Sequence, residues 1–488
     1  MPIITETERI NRLILLGAKK GMTLLQFFAA ELNEWRNSPK RKDQIKGEEY
    51  YDGKHDILFR KRQIIGQDGD LEEVTNLPNN KLIDNQYALM VDQKTNYLVG
   101  KPFTVNCENK SYVDALTKVF DRKFNRLLKY VCEDALKTSI GWLHPYYTED
   151  GALAFKHFPA YEILPFWRDD DHTELECALR FYPQLVWDGF TKKEIFRVEL
   201  FDWDGIHRYI FDGSELIPDV EAGEHDNYFT VQNGDEAPEE MNWTKIPLIP
   251  FKYCKQELTL LQRVKSLQDA INTILSDFEN NMQEDARNTI LILRDYDGQD
   301  LGEFRRNLST FGAVKVRGTG DVSTLTVEVN SDNYKSILEL LNKALIKNAR
   351  GYDAKDDRLN GNPNQMNIQS MYSDIDLDAN GMETEFQAGF NDLLWFVNSY
   401  LANSGAGDFS DEVTVTFNRD ILINETESIE NCAKSVGILS DETIVEQHPW
   451  VKDVDLELAR KKKEKEAAME NYMGQFPFPQ SGDQSGAE

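Results

Sequence analysis

In this 488-residue chain, the residues whose types and spacing best suit catalysis form two groups of closely spaced carboxylates. Residues 169–176 contain three aspartates and two glutamates, and Asp295, Asp297 and Asp300 form a second group. Carboxylates that share a loop can bind Mg²⁺ or Ca²⁺, and an ion held by the first group would make the chain a metal-dependent hydrolase. The second group lacks the spacing and the closing glutamate of an EF-hand. Because 84 residues are acidic, we expect both groups to be solvated turns without a bound metal.

The sequence motifs of the common enzyme classes are absent. None of GxxxxGK[ST], HExxH, GxSxG and GxGxxG occurs. The histidines are dispersed, and His144 and His157, which flank a predicted hairpin turn and could meet across it, are expected to be ordinary sheet residues. The five cysteines include no CxxC pair, which argues against a disulfide framework or a zinc site and favours reduced thiols in a cytoplasm. We therefore predict no catalytic residue and no cofactor.

Composition and charge limit the classes of function that remain. The sequence carries 84 acidic and 55 basic residues, a formal net charge of −29. This balance disfavours a protein that grips nucleic acid by neutralising phosphates, but an acidic wall suits one that lets DNA slide past without sticking. Aromatic residues make up 11% of the chain, which excludes wholesale disorder. No run of apolar residues is long enough for a transmembrane helix, so we expect no membrane span.

The elements predicted for residues 1–245 are helices followed by an antiparallel sheet. Apolar residues at helical spacing predict helices over 22–36 and 84–99 and, in two pieces, over 111–138. From residue 140 onward, alternating apolar residues separated by Asp-Gly turns predict a β-meander. The acidic and polar residues 217–243 predict a long loop. The predicted fold class is therefore α+β.

Two long helices with narrow apolar stripes follow. In the first, over 260–282, apolar side chains recur at steps of three and four residues, and the other faces are polar. Its stripe includes Leu260, Val264, Leu267, Ile271, Ile274 and Phe278. The second helix, over 331–351, carries Lys343, Lys347 and Arg350 toward its C-terminus, where cations interact favourably with the helix dipole. A narrow stripe suits one neighbour on each side, although packing in an ordinary helical core would give the same periodicity.

The rest of the chain is predicted to contain a small β-α-β-β insert, a polar loop and further helices. The loop, residues 352–366, has sharp helical flanks, so a functional loop and a simple linker are both consistent with the sequence. The basic residues 460–465 are expected to form a solvated helix face rather than a nucleic-acid contact. Residues 473–488 are rich in Gly, Ser, Gln and Pro and are expected to be disordered. The remaining predictions are strands at 289–293, 313–317, 323–329 and 413–417 and helices at 300–309, 367–402, 426–436, 441–447 and 453–471.

Five strings of sequence carry a family resemblance. They are YYDGKHDIL (50–58), NNKLIDNQYALMVDQKTNYLVGKPFTV (79–105), ALKTSIGWLHPYYTEDGALAFKHFPAYEILPFWRDD (135–170), YDAKDDRLNGNPNQMNIQSMYSDIDLDANGMETEFQAGFNDLL (352–394) and FNRDILINETESIENCAKSVGILSDETIVEQHPWVKDVDLE (417–457). In this order, and with two long helices bracketing a small insert, they resemble the portal proteins of tailed bacteriophages, the head-to-tail connectors, in particular the siphophage type. The resemblance covers most of the chain, and no single string is a catalytic fingerprint.

The resemblance implies a portal fold with a mixed α/β wing, a long-helix stem, a small β-α-β-β clip and a helical crown. The wing would face the capsid, and copies of the stem would pack side by side around a channel. The implied divisions are a wing at 1–245 and 367–424, stem helices at 246–285 and 331–351, a clip at 286–330, a tunnel loop at 352–366, a crown at 425–472 and a disordered tail at 473–488.

The resemblance also implies which residues meet DNA and partner proteins. The tunnel loop would project toward DNA, but its two cations are offset by three aspartates, so we expect weak, sequence-independent contact. The residues expected to line the DNA channel are Lys355, Arg358, Asn360, Asn362 and Asn364 of the loop and Lys343, Lys347 and Arg350 of the second stem helix. The residues expected on the partner surface of the clip are Asp297, Gln299, Arg305 and Arg306.

A portal of this kind would be a closed ring, usually of twelve copies, at one capsid vertex, through which the genome is packaged and ejected. Its partners would be copies of itself, double-stranded DNA, the terminase large subunit, head–tail connector or adaptor proteins, and major capsid and scaffolding proteins, with no membrane. It would be assembled in the host cytoplasm, remain in the virion and not be an enzyme. The alternatives are the metal-dependent hydrolase using residues 169–176 and a helical scaffold protein without a pore.

Overall fold

Two compact units make up the chain. The residues described by the computed structural model are 22–65, 70–75, 77–231, 238–285, 290–294, 321–325, 331–353, 365–419, 425–451 and 454–475. The larger unit is drawn from Met1–Tyr352 and Asp374–Asp420, and the smaller unit from Asp353–Ser373 and Ile421–Glu488. Helices and antiparallel strands both contribute, so the α+β prediction is confirmed. Of the helices in these stretches, none is both long and apolar enough to cross a bilayer.

Helices open the larger unit, and those predicted from periodicity are confirmed. They are α1 (Leu24–Arg36), α2 (Pro39–Tyr51), α3 (Gln86–Val99), α4 (Lys110–Val119) and α5 (Arg122–Thr138), with 3₁₀ turns at Asp56–Phe59 and Ala160–Glu162. The sequence prediction missed α2, because residues 37–49 are basic and polar and show no apolar stripe. Its start was nonetheless signalled by Ser38, which accepts a hydrogen bond from the backbone of Arg41, and by Pro39 at the first helical position.

Antiparallel sheets follow these helices. The strands up to residue 252 are β1 (Gln63–Ile65), β2 (Leu71–Glu73), β3 (Thr104–Asn106), β4 (Ile140–Tyr147), β5 (Leu153–Phe158), β6 (Ile163–Trp167), β7 (Leu175–Asp188), β8 (Thr191–Asp202), β9 (Gly205–Phe211), β10 (Leu216–Pro218), β11 (His225–Asp226), β12 (Phe229–Val231), β13 (Glu239–Met241) and β14 (Ile249–Lys252). One sheet has the order β10-β9-β8-β7-β6 with β11 also paired to β9, another has the order β14-β4-β5, and β1-β2 and β12-β13 are separate pairs. The predicted meander is confirmed. The prediction of a loop at 217–243 is wrong, because β10 to β13 lie there.

The first hydrophobic core forms where α1 packs on the larger sheet. Phe27, Phe28 and Leu32 of α1 are buried together with Leu179 of β7 and Val198 of β8. These α1 residues lie on the apolar face that the 3.6-residue periodicity predicts, and β7 and β8 present alternate residues to it. Burial of this face holds α1 on the sheet.

The two predicted long helices and the strands between them are confirmed where the structure describes them. The helices are α6 (Leu260–Asp285) and α7 (Ser331–Asn348), and between them β15 (Ile290–Arg294) pairs antiparallel with β16 (Asp321–Leu325). The predicted helix at 300–309 and the predicted strand at 313–317 lie outside the described residues.

A third long helix, α8 (Gln365–Asn403), supplies the second core of the larger unit. The rings of Phe386 and Phe390 on α8 lie 5.2 and 5.7 Å from the ring of Phe251 on β14. Strand β17 (Thr414–Thr416) pairs with β3 and brings Phe417 to 6.2 and 5.9 Å from the same two α8 rings. The predicted helix at 367–402 and strand at 413–417 are therefore confirmed.

Two glycines of α8 provide a matched test of this packing. A Cβ added at Gly389 would lie 2.9 Å from the ring of Phe251, whereas nothing lies within 4 Å of one added at Gly381. We expect Gly389→Ala to lower the melting temperature, because overpacking a core costs roughly 1–3 kcal/mol. Gly381→Ala should raise it, because alanine is favoured over glycine by about 1 kcal/mol in a helix interior. Thermal unfolding followed by circular dichroism measures both changes in melting temperature. Changes in the same direction would contradict the close approach of Gly389 to the ring of Phe251.

The smaller unit contains the three C-terminal helices, and the sequence prediction of these helices is confirmed. They are α9 (Glu425–Lys434), α10 (Asp441–Glu446) and α11 (Val454–Gln475). Ser440 caps α10 by accepting a hydrogen bond from the backbone of Thr443. The predicted start of the disordered tail at 473 is wrong, because α11 continues to Gln475, and the later residues lie outside the described part of the chain. Within the basic run, Lys461 Nζ lies 3.0 Å from a carboxylate oxygen of Asp441.

Candidate functional site

The long helices α6 and α7 pack against each other. The ring centroids of Phe278 and Tyr334 lie 5.0 Å apart, and Asn281 Nδ2 donates a 3.0 Å hydrogen bond to the Tyr334 hydroxyl. The predicted stripe of α6 divides into Leu260, Val264 and Ile271, which are buried within the chain, and Leu267, Ile274 and Phe278, which are half-buried. Part of the stripe therefore belongs to the chain's own core, and the other part retains apolar surface.

A ladder of buried polar side chains on α6 holds an extended segment and the start of α3. The ladder residues recur at every fourth position, are at most 3% exposed, and are Gln268, Asn272, Ser276 and Asn280. They accept hydrogen bonds of 2.7–3.0 Å from the backbone amides of Tyr87, Asp84, Leu82 and Asn80, respectively. These amides would otherwise lose their hydrogen bonds to water without compensation. Because the side chains are polar, they fall outside the apolar stripe from which the helix is predicted. The regular spacing of uncharged residues is the signal that could have found the ladder.

One carboxylate ties the end of α7 to α3, α6 and α8. Asp378 of α8 accepts hydrogen bonds from Lys94 Nζ and from the Tyr253 hydroxyl, both at 2.7 Å. The guanidinium groups of Arg263 and Arg350 reach the same carboxylate at 2.9 and 3.3 Å. Burial alone would raise the pKa of Asp378, but the adjacent Lys94 ammonium and the other donors hold that pKa below its usual range. The Lys94 and Asp378 side chains are 4% and 7% exposed, so this ion pair is buried.

The backbone immediately after α7 is also anchored to α3. Gln93 of α3 accepts a 3.0 Å hydrogen bond from the backbone amide of Tyr352 and donates a 2.8 Å bond to its carbonyl. A Cβ at Gly351 would lie 2.6 Å from the Met90 sulfur, so the backbone packs directly on α3. These contacts anchor the residues that precede the predicted loop.

The predicted DNA-channel residues fall into three groups. Lys343 and Lys347 are exposed on α7, and neither has an ion-pair partner within the described part of the chain. Arg350 is also exposed, but its guanidinium is paired with Asp378. The other predicted site residues lie outside the described residues, namely Lys355, Arg358, Asn360, Asn362 and Asn364 of the loop and Asp297, Gln299, Arg305 and Arg306 of the insert.

The acidic residues 169–176 form a hydrogen-bonded turn rather than a converging set of metal ligands. Asp169 accepts hydrogen bonds of 2.8–3.0 Å from two backbone amides of its own turn. Arg168 pairs with Glu176 at 2.7 Å, and Lys255 lies 3.4 Å from Asp171. These carboxylates have partners of their own, so the geometry does not support the hydrolase alternative. The second acidic group lies outside the described residues.

His144 and His157 are ordinary sheet histidines, as expected, and they do not meet. His144 Nδ1 lies 2.6 Å from the carbonyl oxygen of Pro247, and burial lowers the pKa of His144 to about 4. His157 Nδ1 lies 3.0 Å from a carboxylate oxygen of Asp134. Each ring is therefore satisfied by a different neighbour.

Comparisons with known proteins assign this arrangement to a family. The sequence profile described as "Phage portal protein, SPP1 Gp6-like" matches residues 34–471. The chain is 30% identical to the portal protein of Bacillus phage SPP1 over 464 residues, which cover 93% of this chain and 90% of that protein. It is 26% identical to the portal protein of Clostridium phage phiCD119, with 86% and 92% coverage. A solved structure described as "Neck of native GTA particle computed with C12 symmetry" aligns with 73% of this chain and 87% of that chain, at 13% sequence identity. Its TM-score of 0.36 is too low to establish a shared fold.

The family match extends over both units. It begins within α1 and ends within α11, so it includes the long helices and the Asp378 carboxylate. Phage portal proteins are structural components of the virion rather than enzymes, in agreement with the absence of catalytic motifs from the sequence. The chain therefore belongs to the SPP1 Gp6-like family of phage portal proteins.

Proposed function

We propose that copies of this chain form a closed ring of twelve subunits at one vertex of the capsid, and that the genome is packaged and ejected through this ring. The observation that carries the proposal is the family match across residues 34–471. An exposed apolar surface on the long helices supports it, because Ile337 and Leu340 of α7 are 46% and 68% exposed and Met282 of α6 is 53% exposed. A head-to-tail interface between neighbouring copies would cover this surface, and repetition of such an interface can close a ring.

The proposed divisions of the subunit follow the family architecture. The wing would comprise residues 1–245 and 367–424, the stem 246–285 and 331–351, the clip 286–330, the tunnel loop 352–366 and the crown 425–472. Within the first stem range, β14 is part of a sheet with β4, so the helical stem would begin only at Leu260. The start of α8 at Gln365 likewise shortens the proposed loop slightly.

We infer that the face of α7 with Lys343 and Lys347 lines the channel. The two side chains are exposed and one helical turn apart, so they would present a row of positive charge to passing phosphates. Arg350 would contribute less, because its guanidinium is held 3.3 Å from the Asp378 carboxylate, which it shares with Lys94 and Arg263. Lys355, Arg358, Asn360, Asn362 and Asn364 of the loop are proposed to contact the DNA backbone. In a chain with a net charge of −29, so few cations would give weak contact that does not depend on base sequence.

The clip is proposed as the docking surface for other phage proteins. Asp297, Gln299, Arg305 and Arg306 would meet the terminase large subunit during packaging and head–tail connector or adaptor proteins afterwards. The wing and crown would face the major capsid and scaffolding proteins. The energy for DNA movement would come from the terminase, since the sequence contains no P-loop.

Native mass spectrometry and electron microscopy of the purified full chain test the ring. Twelve copies of the 56.3 kDa chain would have a mass of about 676 kDa. We expect particles with a central hole near that mass, and a reconstruction in which Lys343 and Lys347 face the hole. A monodisperse monomer at every protein and salt concentration would contradict the proposal. Large particles without a hole would instead favour a helical scaffold protein.

A further inference from the structure

Two histidines and two aspartates come together where β11 pairs with β9. His207 and His225 occupy directly opposed positions in this pairing, and their ring centroids lie 4.5 Å apart. Asp202 is the last residue of β8, and Asp204 lies in the tight turn that leads into β9. The turn and the strand pairing therefore place two imidazoles and the Asp204 carboxylate around one point on the surface, with the Asp202 carboxylate beside His207.

The distances between the reactive atoms leave space for a small cation. His207 Nε2 lies 3.5 Å from Asp202 Oδ2 and 4.0 Å from Asp204 Oδ2, and His225 Nε2 lies 3.8 Å from Asp204 Oδ2. One ligand atom from each of Asp204, His207 and His225 lies within 4.8 Å of the others. These separations exceed a good hydrogen bond, so the carboxylates and the His207 imidazole approach one another without bonding directly.

We propose that His207, His225 and Asp204, with Asp202 as the fourth ligand, bind one divalent transition-metal ion, and that Zn²⁺ is the best match. Imidazole nitrogen and carboxylate oxygen are ordinary ligands of Zn²⁺, at about 2.0–2.2 Å in tetrahedral geometry. Such bonds place neighbouring ligand atoms about 3.3 Å apart, so the three histidine–carboxylate separations given above need to contract by only about 0.2–0.7 Å. The mixed imidazole and carboxylate set argues against Mg²⁺ and Ca²⁺, which prefer oxygen ligands.

Binding requires one hydrogen bond to be exchanged. His225 Nε2 now lies 2.9 Å from the carbonyl oxygen of Asp204, and this nitrogen must present its lone pair to the ion instead. The same carbonyl accepts a 2.7 Å hydrogen bond from Asn242 Nδ2, so it stays satisfied when the imidazole turns away. Asp204 is mostly exposed and free to rotate toward the ion.

The ion would fasten the polar segment after β9 to the body of the sheet. Strand β11 is only two residues long, and its two register pairs, His225 with His207 and Asp226 with Ile206, join it to β9. A metal shared by β9, β11 and the preceding turn would add a cross-link that binds only the folded chain and would therefore stabilise it. This proposal does not depend on the ring.

Cobalt titration of the full chain, stripped of metal with a chelator and dialysed, tests the site. We expect one Co²⁺ per chain with the visible absorption of a tetrahedral nitrogen and oxygen site, and displacement of Co²⁺ by Zn²⁺. His207→Gln and His225→Gln should each weaken binding by at least about tenfold. His448→Gln, which changes a histidine of the smaller unit, is the matched control and should bind as the wild type does.

Three results would overturn the metal site. One is binding that His207→Gln and His225→Gln leave unchanged while circular dichroism shows both variants folded. Another is the absence of saturable Co²⁺ or Zn²⁺ binding to the wild-type chain. Absorption typical of thiolate coordination would assign any bound ion to the cysteines and would also overturn the proposal. Ring formation, measured on the same samples, reports separately on the proposed function.

Discussion

Asp378→Asn is expected to lower the free energy of unfolding of the larger unit by about 3–5 kcal/mol. The substitution leaves the Lys94 ammonium buried without its counter-charge, and the amide keeps only one of the two carboxylate oxygens that accept hydrogen bonds from Lys94, Tyr253 and Arg263. Removing one partner of a buried ion pair is costly because the other charge remains in a medium of low dielectric constant. Denaturant-induced unfolding followed by tryptophan fluorescence measures the change in free energy.

The chain provides both a control and a rescue for this variant. Asp374→Asn alters an exposed aspartate one turn earlier on α8 and should change the free energy of unfolding by less than about 0.5 kcal/mol. Adding Lys94→Met to Asp378→Asn should restore much of the lost stability, because no unpaired ammonium then remains at that position. If Asp378→Asn proves as mild as Asp374→Asn, the carboxylate does not hold the helices together.

Acid should narrow the difference in stability between the wild type and Asp378→Asn. Burial opposes ionisation of Asp378. The Lys94 ammonium and the other hydrogen-bond donors together outweigh this effect, so the pKa of Asp378 is lowered. A carboxyl group whose pKa is lower in the folded state stabilises the protein above its unfolded pKa, near 4, and this contribution disappears as the pH falls through the folded pKa. Repeating the unfolding measurement between neutral pH and about pH 3 tests the sign. A difference that grows on acidification would contradict it.

Ile337→Glu combined with Leu340→Glu is expected to abolish the ring and leave folded monomers. These residues are three positions apart on α7 and form one exposed apolar surface. If a neighbouring subunit covers this surface, each glutamate would be desolvated without a partner, at a cost of several kcal/mol per charge that is repeated at every interface. Native mass spectrometry measures the loss of the assembled species, and circular dichroism verifies that the helices persist.

Leu89→Glu is the matched control for the interface variant. Leu89 is an exposed leucine on α3, in the same unit, and the substitution adds one of the two negative charges that the double variant carries. We expect this protein to assemble with the wild-type mass. Rings that survive the double substitution would show that the interface lies on another surface, whereas loss of the ring in both proteins would point to net charge rather than to α7.

Elements defined by local signals could be predicted from the sequence. Apolar residues at steps of three and four predict a helix from Leu260, and α6 begins there. Ser440 predicts the start of α10, and its side chain caps that helix. The Asp-Gly turns place the hairpins of the β-meander correctly, because a turn depends on a few adjacent residues. The order and spacing of whole strings also identified the portal family, since they reflect the entire chain rather than one site.

Elements without a local apolar pattern could not be predicted in this way. Helix α2 is held by a cap and by buried Gln44, Gly47 and Tyr50, so it shows no stripe. The short strands β10 to β13 lie in an acidic and polar segment, where alternation is too brief to distinguish a strand from a loop. Hydrophobic periodicity reports burial only where burial is apolar.

The sequence by itself therefore determined the α+β class, the long periodic helices and the family, whereas the tertiary structure alone decided which polar side chains meet. Asp378 contacts Lys94, the α6 ladder binds the backbone around Leu82, and His207 faces His225. The members of each pair are separated by whole elements of the chain. Their contact depends on strand register and on how distant helices cross, and periodicity shows which face of an element is buried but not what covers it.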